Sequence, residues 1–218
     1  MDATVTRASL LQRGLRLEYL TIGWNVLEGV IAVAAGLASG SIALVAFGVD
    51  SVVETISGIV LVWRLRAEAG GGLDEEAVEL VERRAEVLVG VSFLLLAGYV
   101  AFESVRTLLA SEAPDASPLG IVLTSVSIAV MLWLARAKLA TGRALASRAL
   151  IADSRQTRAC WYLSAVALAG LGLNALLGWW WADPVAALVI AGLLLREARE
   201  ALSGEDDDDE DEVDKLVD

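Results

Sequence analysis

The sequence lacks histidine altogether and contains one cysteine and three prolines among its 218 residues. Histidine is the most common transition-metal ligand and the most common proton carrier near neutral pH, so any such chemistry here must use carboxylates, amides and the thiol. The single cysteine, Cys160, excludes a disulfide within the chain. Residues 1–14 contain no short apolar region with a cleavage site, so no removable signal peptide is predicted.

Apolar residues, by contrast, are abundant. They make up 56% of the chain, the mean hydropathy is +0.62, and they fall into blocks of about 20, the length that a helix needs to cross a bilayer. This composition excludes an ordinary soluble domain. The net charge of −12 is unevenly distributed, because eight of the 29 acidic residues occupy positions 205–212. With that charge, no nucleic-acid partner is expected.

Six apolar segments predict an all-α bundle of six transmembrane helices, at residues 17–38, 42–63, 87–109, 119–135, 150–177 and 184–195. In this topology, 16 of the 17 lysines and arginines fall on one side of the membrane and only Arg106 falls on the other. The positive-inside rule then places both termini in the cytoplasm. Residues 1–16 are predicted to be a cytoplasmic lead-in and residues 17–203 the membrane domain. Residues 204–218 are predicted to be a disordered acidic tail. The tail either only keeps the chain solvated or acts as a tether that attracts cations.

Two acidic residues, Asp50 and Glu54, lie inside the second predicted span. Their four-residue spacing places both side chains on one helix face, about 12 and 18 Å in from Ile42 and near the middle of the bilayer. A charge at that depth costs at least about 2.5 kcal/mol, so the pair should face a cation, a proton or a water-filled cavity. The alternative is a structural pair, either protonated or bound to an arginine of a neighbouring helix.

The fifth predicted span carries polar residues with the spacing i, i+3, i+4 and i+7, which lie on one helical face: Asp153, Gln156, Thr157 and Cys160. Opposite the acid pair, Gln156 and Cys160 would complete four oxygen and sulfur ligands. Such a set suits a tetrahedral divalent transition metal, with Zn²⁺ as the first candidate. Taken singly, Cys160 could be an ordinary core residue and Gln156 an interhelical hydrogen-bonding residue.

Other polar residues inside the predicted spans have simpler interpretations. Asn25 and Glu28 share a face of the first span, where Glu28 either lines a cavity or relays protons, or else hydrogen-bonds to the neighbouring helix. Asp153 and Thr157 are predicted with them either to hold the ion ligands in place or to relay protons. Glu103 and Arg106, at i and i+3, predict an ion pair, and Asp183 before Pro184 predicts a helix N-cap.

These features resemble the cation diffusion facilitator, or cation efflux, family. The resemblance rests on the segments GSIALVAFGVDSVVE, ALIADSRQTRAC and WADPVAALVIAG, and it extends over residues 17–202. In that family the ligands are a D/HxxxD pair in the second helix and HxxxD in the fifth. Asp50 and Glu54 fall on the first pair, whereas Gln156 and Cys160 replace the His and Asp of the second. The replacement by an amide and a thiol puts the metal preference in doubt and could favour softer ions such as Cd²⁺.

The resemblance implies a divalent-metal efflux carrier that works as a dimer by alternating access and exchanges Zn²⁺ or a similar ion for protons. About 16 residues follow Leu202, too few for the family's cytoplasmic domain. We therefore expect the short branch of the family, a homodimer held by its transmembrane helices in a prokaryotic plasma membrane.

The residues leave other functions open beside this one. The alternatives are a passive divalent-cation channel and a non-transporting metal sensor. No enzymatic activity is expected, because the sequence contains neither an HExxH nor a GxSxG motif. No cofactor is expected beyond the transported ion, for which Cd²⁺, Co²⁺, Mn²⁺ and Fe²⁺ are candidates after Zn²⁺.

Overall fold

The computed structural model describes residues 7–70 and 75–203, without the side chains of residues 67–70, 75–82, 85, 86 and 148. These residues form six helices: α1 (Arg7–Ser39), α2 (Ile42–Gly70), α3 (Glu75–Ala110), α4 (Pro118–Leu145), α5 (Arg148–Leu177) and α6 (Ala182–Ser203). No strand occurs in the described ranges, so the predicted all-α fold of six helices is confirmed. The predicted acidic tail and residues 1–6 of the predicted lead-in lie outside them.

Five of these six helices, α1 to α5, are long and apolar enough to cross a membrane. The sixth, α6, has 22 residues, and its apolar run is cut short by charged residues from Arg196 onward. Its role as a sixth span therefore stays a prediction, as does the cytoplasmic position of both termini.

The helices extend beyond the predicted spans, and this corrects the predicted connections. The lead-in is helical from Arg7, and the polar segment after Trp63 continues α2 as far as Gly70 before α3 begins at Glu75. The basic segment after Ala135 is likewise the last part of α4. Hydropathy marks where apolar side chains end, whereas backbone hydrogen bonding continues a helix through charged residues on either side of the bilayer.

Helix α2 lies at the centre of the bundle, in contact with α1, α3, α5 and α6. It follows α1 through a tight turn at Gly40, whose φ of +72° is a conformation that favours glycine. The short connection makes α1 and α2 an antiparallel hairpin, as predicted. Along this hairpin a Cβ on Gly48 would lie 2.8 Å from the backbone nitrogen of Val33, so glycine permits the close approach of the two helices.

The bundle has an inverted polarity that suits a lipid environment. Large apolar side chains on the outer faces are exposed, such as Leu109 (83%) and Leu176 (85%). Several charged side chains are instead fully buried between the helices, including Glu18, Glu28 and Lys138. Because ionisable groups inside a membrane are costly, these buried charges mark where the molecule's chemistry is concentrated.

Candidate functional site

The interface of α2 and α5 brings two of the predicted ligands into direct contact. The Cys160 thiol lies 3.2 Å from Oδ2 of Asp50 and donates a hydrogen bond to it. Both side chains are buried, with 2% of Asp50 and 4% of Cys160 exposed. The antiparallel packing of the two helices therefore aligns the acidic face of α2 with the polar face of α5, as their periodicities predicted.

Glu54 extends this pair by one turn along α2. Its side chain lies close to the Cys160 thiol and the Thr157 hydroxyl, and only 1% of the residue is exposed. Among the described residues, neither of its carboxylate oxygens has a hydrogen-bonding partner. The Lys138 ammonium of α4 attracts this carboxylate from a distance. Because a buried carboxylate without a hydrogen bond is costly, the position still favours a visiting cation or proton.

The fourth predicted ligand, Gln156, points elsewhere in this conformation. Its amide Nε2 lies 3.4 Å from the Ser57 hydroxyl of α2 and donates a hydrogen bond to it. Across the part of the chain that the structure describes, no three carboxylate or thiol groups are already arranged as a metal site. A metal ion held by Asp50, Glu54 and Cys160 would therefore require their side chains to rotate toward one point.

A buried ionic cluster that the sequence reasoning missed lies beside the Asp50–Cys160 pair. Lys138 of α4, fully buried, donates hydrogen bonds to Oε2 of Glu18 at 3.2 Å, to Oδ2 of Asp153 at 2.5 Å and to the Thr157 hydroxyl at 3.2 Å. The cluster joins α1, α4 and α5. Asp153 and Thr157, predicted to support the ion ligands or to relay protons, are thus partners of a lysine that lies beyond the predicted fourth span.

A second buried cluster contains the two residues predicted from α1. Oε2 of Glu28 accepts a hydrogen bond from the Ser51 hydroxyl of α2 at 3.2 Å, and the Ser127 hydroxyl of α4 adjoins the same carboxylate. Ser127 in turn accepts a hydrogen bond from Ser164 of α5 at 3.1 Å. The bond to Ser51 is the contact with the neighbouring hairpin helix that was the structural alternative for Glu28.

Asp183 has a different function from the predicted one. Its carboxylate accepts hydrogen bonds from the Ser41 hydroxyl, from the Ile42 backbone N–H at 3.0 Å and from the Ala43 backbone N–H at 3.5 Å. These amides begin α2, so Asp183 caps α2 and not its own helix α6. Spacing along the chain suggested a local cap, but the folded bundle brings the start of α2 closer to this carboxylate.

The predicted ion pair of α3 is confirmed, since Arg106 Nη2 lies 2.8 Å from Glu103 Oε2. Both residues line a cavity of about 360 Å³ beside the turn between α1 and α2. The pair is partly exposed, with 57% of the Arg106 side chain accessible. It therefore differs from the Lys138 cluster, which is shielded on all sides.

Buried ionisable groups that face one another inside an apolar helical bundle are a feature of membrane proteins that move ions. Residues 19–203 match the model of the cation efflux transmembrane domain. The chain therefore belongs to the cation efflux family, and the resemblance inferred from its motifs is confirmed. Members of this family are transporters and not, in general, enzymes.

Several curated proteins are similar to this chain. An uncharacterized transporter of Methanocaldococcus jannaschii is 26% identical over 82% of the chain and 64% of that protein. The cation-efflux pump FieF of Shewanella oneidensis is 29% identical over 77% of the chain and 57% of its own length. The magnetosome protein MamB of a Magnetospira species is 27% identical over 82% of the chain and 60% of its own length.

The chain thus spans between 57% and 64% of the length of these relatives. Their bacterial and archaeal sources agree with the predicted multi-pass protein of a prokaryotic plasma membrane.

Proposed function

We propose that the chain is an efflux transporter for a divalent transition metal, with Zn²⁺ as the first candidate, and that it exchanges the metal for protons by alternating access. The observation that carries the proposal is the buried, unpartnered carboxylate of Glu54 beside the Asp50–Cys160 contact. Family membership supports movement of a cation, and the name of the relative from Shewanella oneidensis includes cation efflux.

The ligand chemistry supports a transition metal. Two carboxylates and one thiol, with an amide one turn away, combine hard and soft donors. Hard ions such as Mg²⁺ and Ca²⁺ prefer six or more oxygen ligands, so the sulfur of Cys160 argues against them. In the transported state we expect Asp50, Glu54 and Cys160 to bind the ion, and Gln156 to leave Ser57 and become the fourth ligand.

The Asp50–Cys160 hydrogen bond suggests how metal and proton are coupled. The thiol donates its proton toward Asp50 Oδ2, but it is the thiolate that binds a metal. A divalent ion that binds Cys160 must therefore displace that proton, and departure of the ion must readmit one. Exchange follows if the displaced proton leaves toward the side from which the metal arrives, and a proton is readmitted from the side to which the metal departs.

The Lys138 cluster is suited to close one route to the site. Asp153 precedes Cys160 by seven residues, so the cluster lies about two turns, roughly 10 Å, nearer the start of α5. Lys138 contacts Glu18 of α1 and Asp153 of α5 at this level. We infer that ion access from the end of the bundle predicted to be cytoplasmic requires Lys138 to release at least one of these acids.

The test is a flux measurement in proteoliposomes. Wild-type protein should take up Zn²⁺ with saturation, respond to an imposed pH gradient and move protons in the opposite direction. Asp50→Asn and Glu54→Gln should abolish uptake, whereas Glu103→Gln, which changes an acid of the partly exposed pair on α3, should leave it intact. Zn²⁺ uptake that neither responds to a pH gradient nor moves protons would contradict antiport.

The same experiment separates the alternatives. A passive channel would conduct without saturation or a counter-ion, and a non-transporting sensor would bind metal without flux. Assays with Cd²⁺, Co²⁺, Mn²⁺, Fe²⁺ and Zn²⁺ in turn would establish the preferred ion. We further propose that two copies associate through their transmembrane helices, which native mass spectrometry of the detergent-solubilised protein would test.

A further inference from the structure

We propose that the cluster around Glu28 is a second cation site, formed by oxygen atoms of α1, α2 and α4, and that it binds a hard monovalent cation of the sodium class. Its ligands would be Asn25 and Glu28 of α1, Ser51 of α2 and Ser127 of α4. This inference goes beyond the proposed transport of a transition metal and does not depend on it.

The first evidence is a set of buried polar atoms without partners. Asn25 and Glu28 are both 0% exposed. Among the described residues, the amide nitrogen and oxygen of Asn25 and Oε1 of Glu28 have no hydrogen-bonding partner. Buried polar groups are nearly always satisfied, and each one left unsatisfied costs about 1–3 kcal/mol. The i, i+3 spacing places both side chains on one face of α1, so the unsatisfied oxygens share one region.

The second evidence is the character of the surrounding groups. Ser51 approaches Oε2 of Glu28 at 3.2 Å, the Ser127 hydroxyl adjoins the carboxylate, and Ser164 continues the row of hydroxyls through its bond to Ser127. The buried indole nitrogen of Trp24 also adjoins the carboxylate, and the serine side chains offer oxygen and no sulfur or imidazole. Such donors suit hard cations and not the softer transition metals.

Charge selects a monovalent ion. The four proposed ligands include one carboxylate, so a single positive charge makes this ligand set neutral, whereas a divalent ion would leave it with a net charge inside the membrane at a large desolvation cost. A water molecule could bridge Asn25 and Glu28 but would not balance the carboxylate. Protonation of Glu28 would balance it as well, and the resulting O–H could donate to the Asn25 oxygen, so a proton is the rival occupant that the sodium test must distinguish. A bound alkali ion meets both requirements.

The cluster is separate from the proposed metal site, although both involve α2. Asp50 faces Cys160 of α5, whereas the adjacent Ser51 faces Glu28 of α1. The two residues follow one another in sequence and therefore point in different directions around the helix. The carboxylates of the two sites still influence each other electrostatically, so sodium binding is measured with transition metals removed.

The test uses the full chain in detergent, with a chelator to remove divalent metals and with NaCl replacing choline chloride at fixed pH and ionic strength. Sodium at ten times its Kd should raise the Tm by about 3–6 °C. Glu28→Gln should abolish this shift, and Asn25→Ala or Ser51→Ala should raise the Kd roughly tenfold per lost ligand. Ser104→Ala, which removes a buried hydroxyl that donates to the Val100 carbonyl within α3, should retain the full response.

Identical melting in sodium and choline would overturn the proposal and indicate that a water or a proton fills the cluster. A sodium response that persists in Glu28→Gln would overturn it equally. If Glu28→Gln fails to fold, the Kd values of Asn25→Ala and Ser51→Ala decide the question. Because the assay contains no transition metal, loss of the sodium response leaves the Zn²⁺ flux prediction intact, and failure of Zn²⁺ flux leaves this site intact.

Discussion

Replacement of the buried lysine, Lys138→Met, is predicted to be among the most destabilising single changes in the bundle. Lys138 is fully buried, and its ammonium group lies 3.2 Å from Glu18 and 2.5 Å from Asp153. Methionine has a similar length and leaves no large cavity. The variant therefore removes the cation while leaving two carboxylates close together in a low-dielectric interior.

The expected cost follows from that geometry. Removing one partner of a buried ion pair costs about 3–5 kcal/mol, because the remaining charge is no longer compensated. For a chain of about 200 residues, 1 kcal/mol changes the Tm by about 2–4 °C, so Lys138→Met should lower the Tm by roughly 6–20 °C. The partly exposed pair on α3 provides the control, because Arg106→Gln should cost no more than about 1 kcal/mol.

The assay is thermal unfolding of the purified protein in one detergent, followed by intrinsic tryptophan fluorescence. A triple variant that adds Glu18→Gln and Asp153→Asn to Lys138→Met should recover most of the lost stability, because it removes the uncompensated charges. The reasoning is refuted if Lys138→Met melts within 1 °C of Arg106→Gln, or if neutralising both acids fails to restore any stability.

Two further measurements test the inferred closure and the cap of α2. Lys138→Met should also accelerate alkylation of Cys160, the only cysteine in the chain, because the inferred closure is lost. The reagent is a membrane-impermeant maleimide added on the predicted cytoplasmic side. An alkylation rate equal to that of Arg106→Gln would rule out the closure. Asp183→Ala should cost about 1–2 kcal/mol and lower the Tm, since the first amides of α2 lose their cap. Asp183→Asn should retain part of the capping stabilisation. A Tm of Asp183→Ala equal to that of the wild type would show that the cap is dispensable.

The sequence predicted the helices and one interface well. Asp50 and Glu54 stood out because charged residues are rare within an apolar run, and Cys160 because it lies on the polar face that begins at Asp153. Together these two periodicities predicted that α2 and α5 face each other, which the Asp50–Cys160 contact at 3.2 Å confirms. The pattern could not predict that Gln156 pairs with Ser57, since spacing places a side chain on a face but does not fix its rotamer.

Hydropathy alone does not predict the Lys138 cluster, because it registers the charge of a residue and not the helix face on which the residue lies. Lys138 lies beyond the predicted fourth span, which ends at residue 135, among basic residues typical of a polar connection. It nevertheless follows Met131 and Leu134 on the buried face of α4, at i+7 and i+4, which is the signal of an inward-facing lysine. Glu18 precedes Asn25 by seven residues on the buried face of α1 and could have been recognised in the same way.

The central claim is that a transition metal binds between α2 and α5 with Cys160 among its ligands. X-ray absorption at the zinc edge, on protein loaded with one equivalent of Zn²⁺, tests this directly because the chain contains only one cysteine. We predict one sulfur ligand at about 2.3 Å with oxygen or nitrogen ligands at about 2.0–2.2 Å, and loss of the sulfur in Cys160→Ser. A spectrum with only oxygen or nitrogen ligands, identical in wild type and Cys160→Ser, would contradict the account.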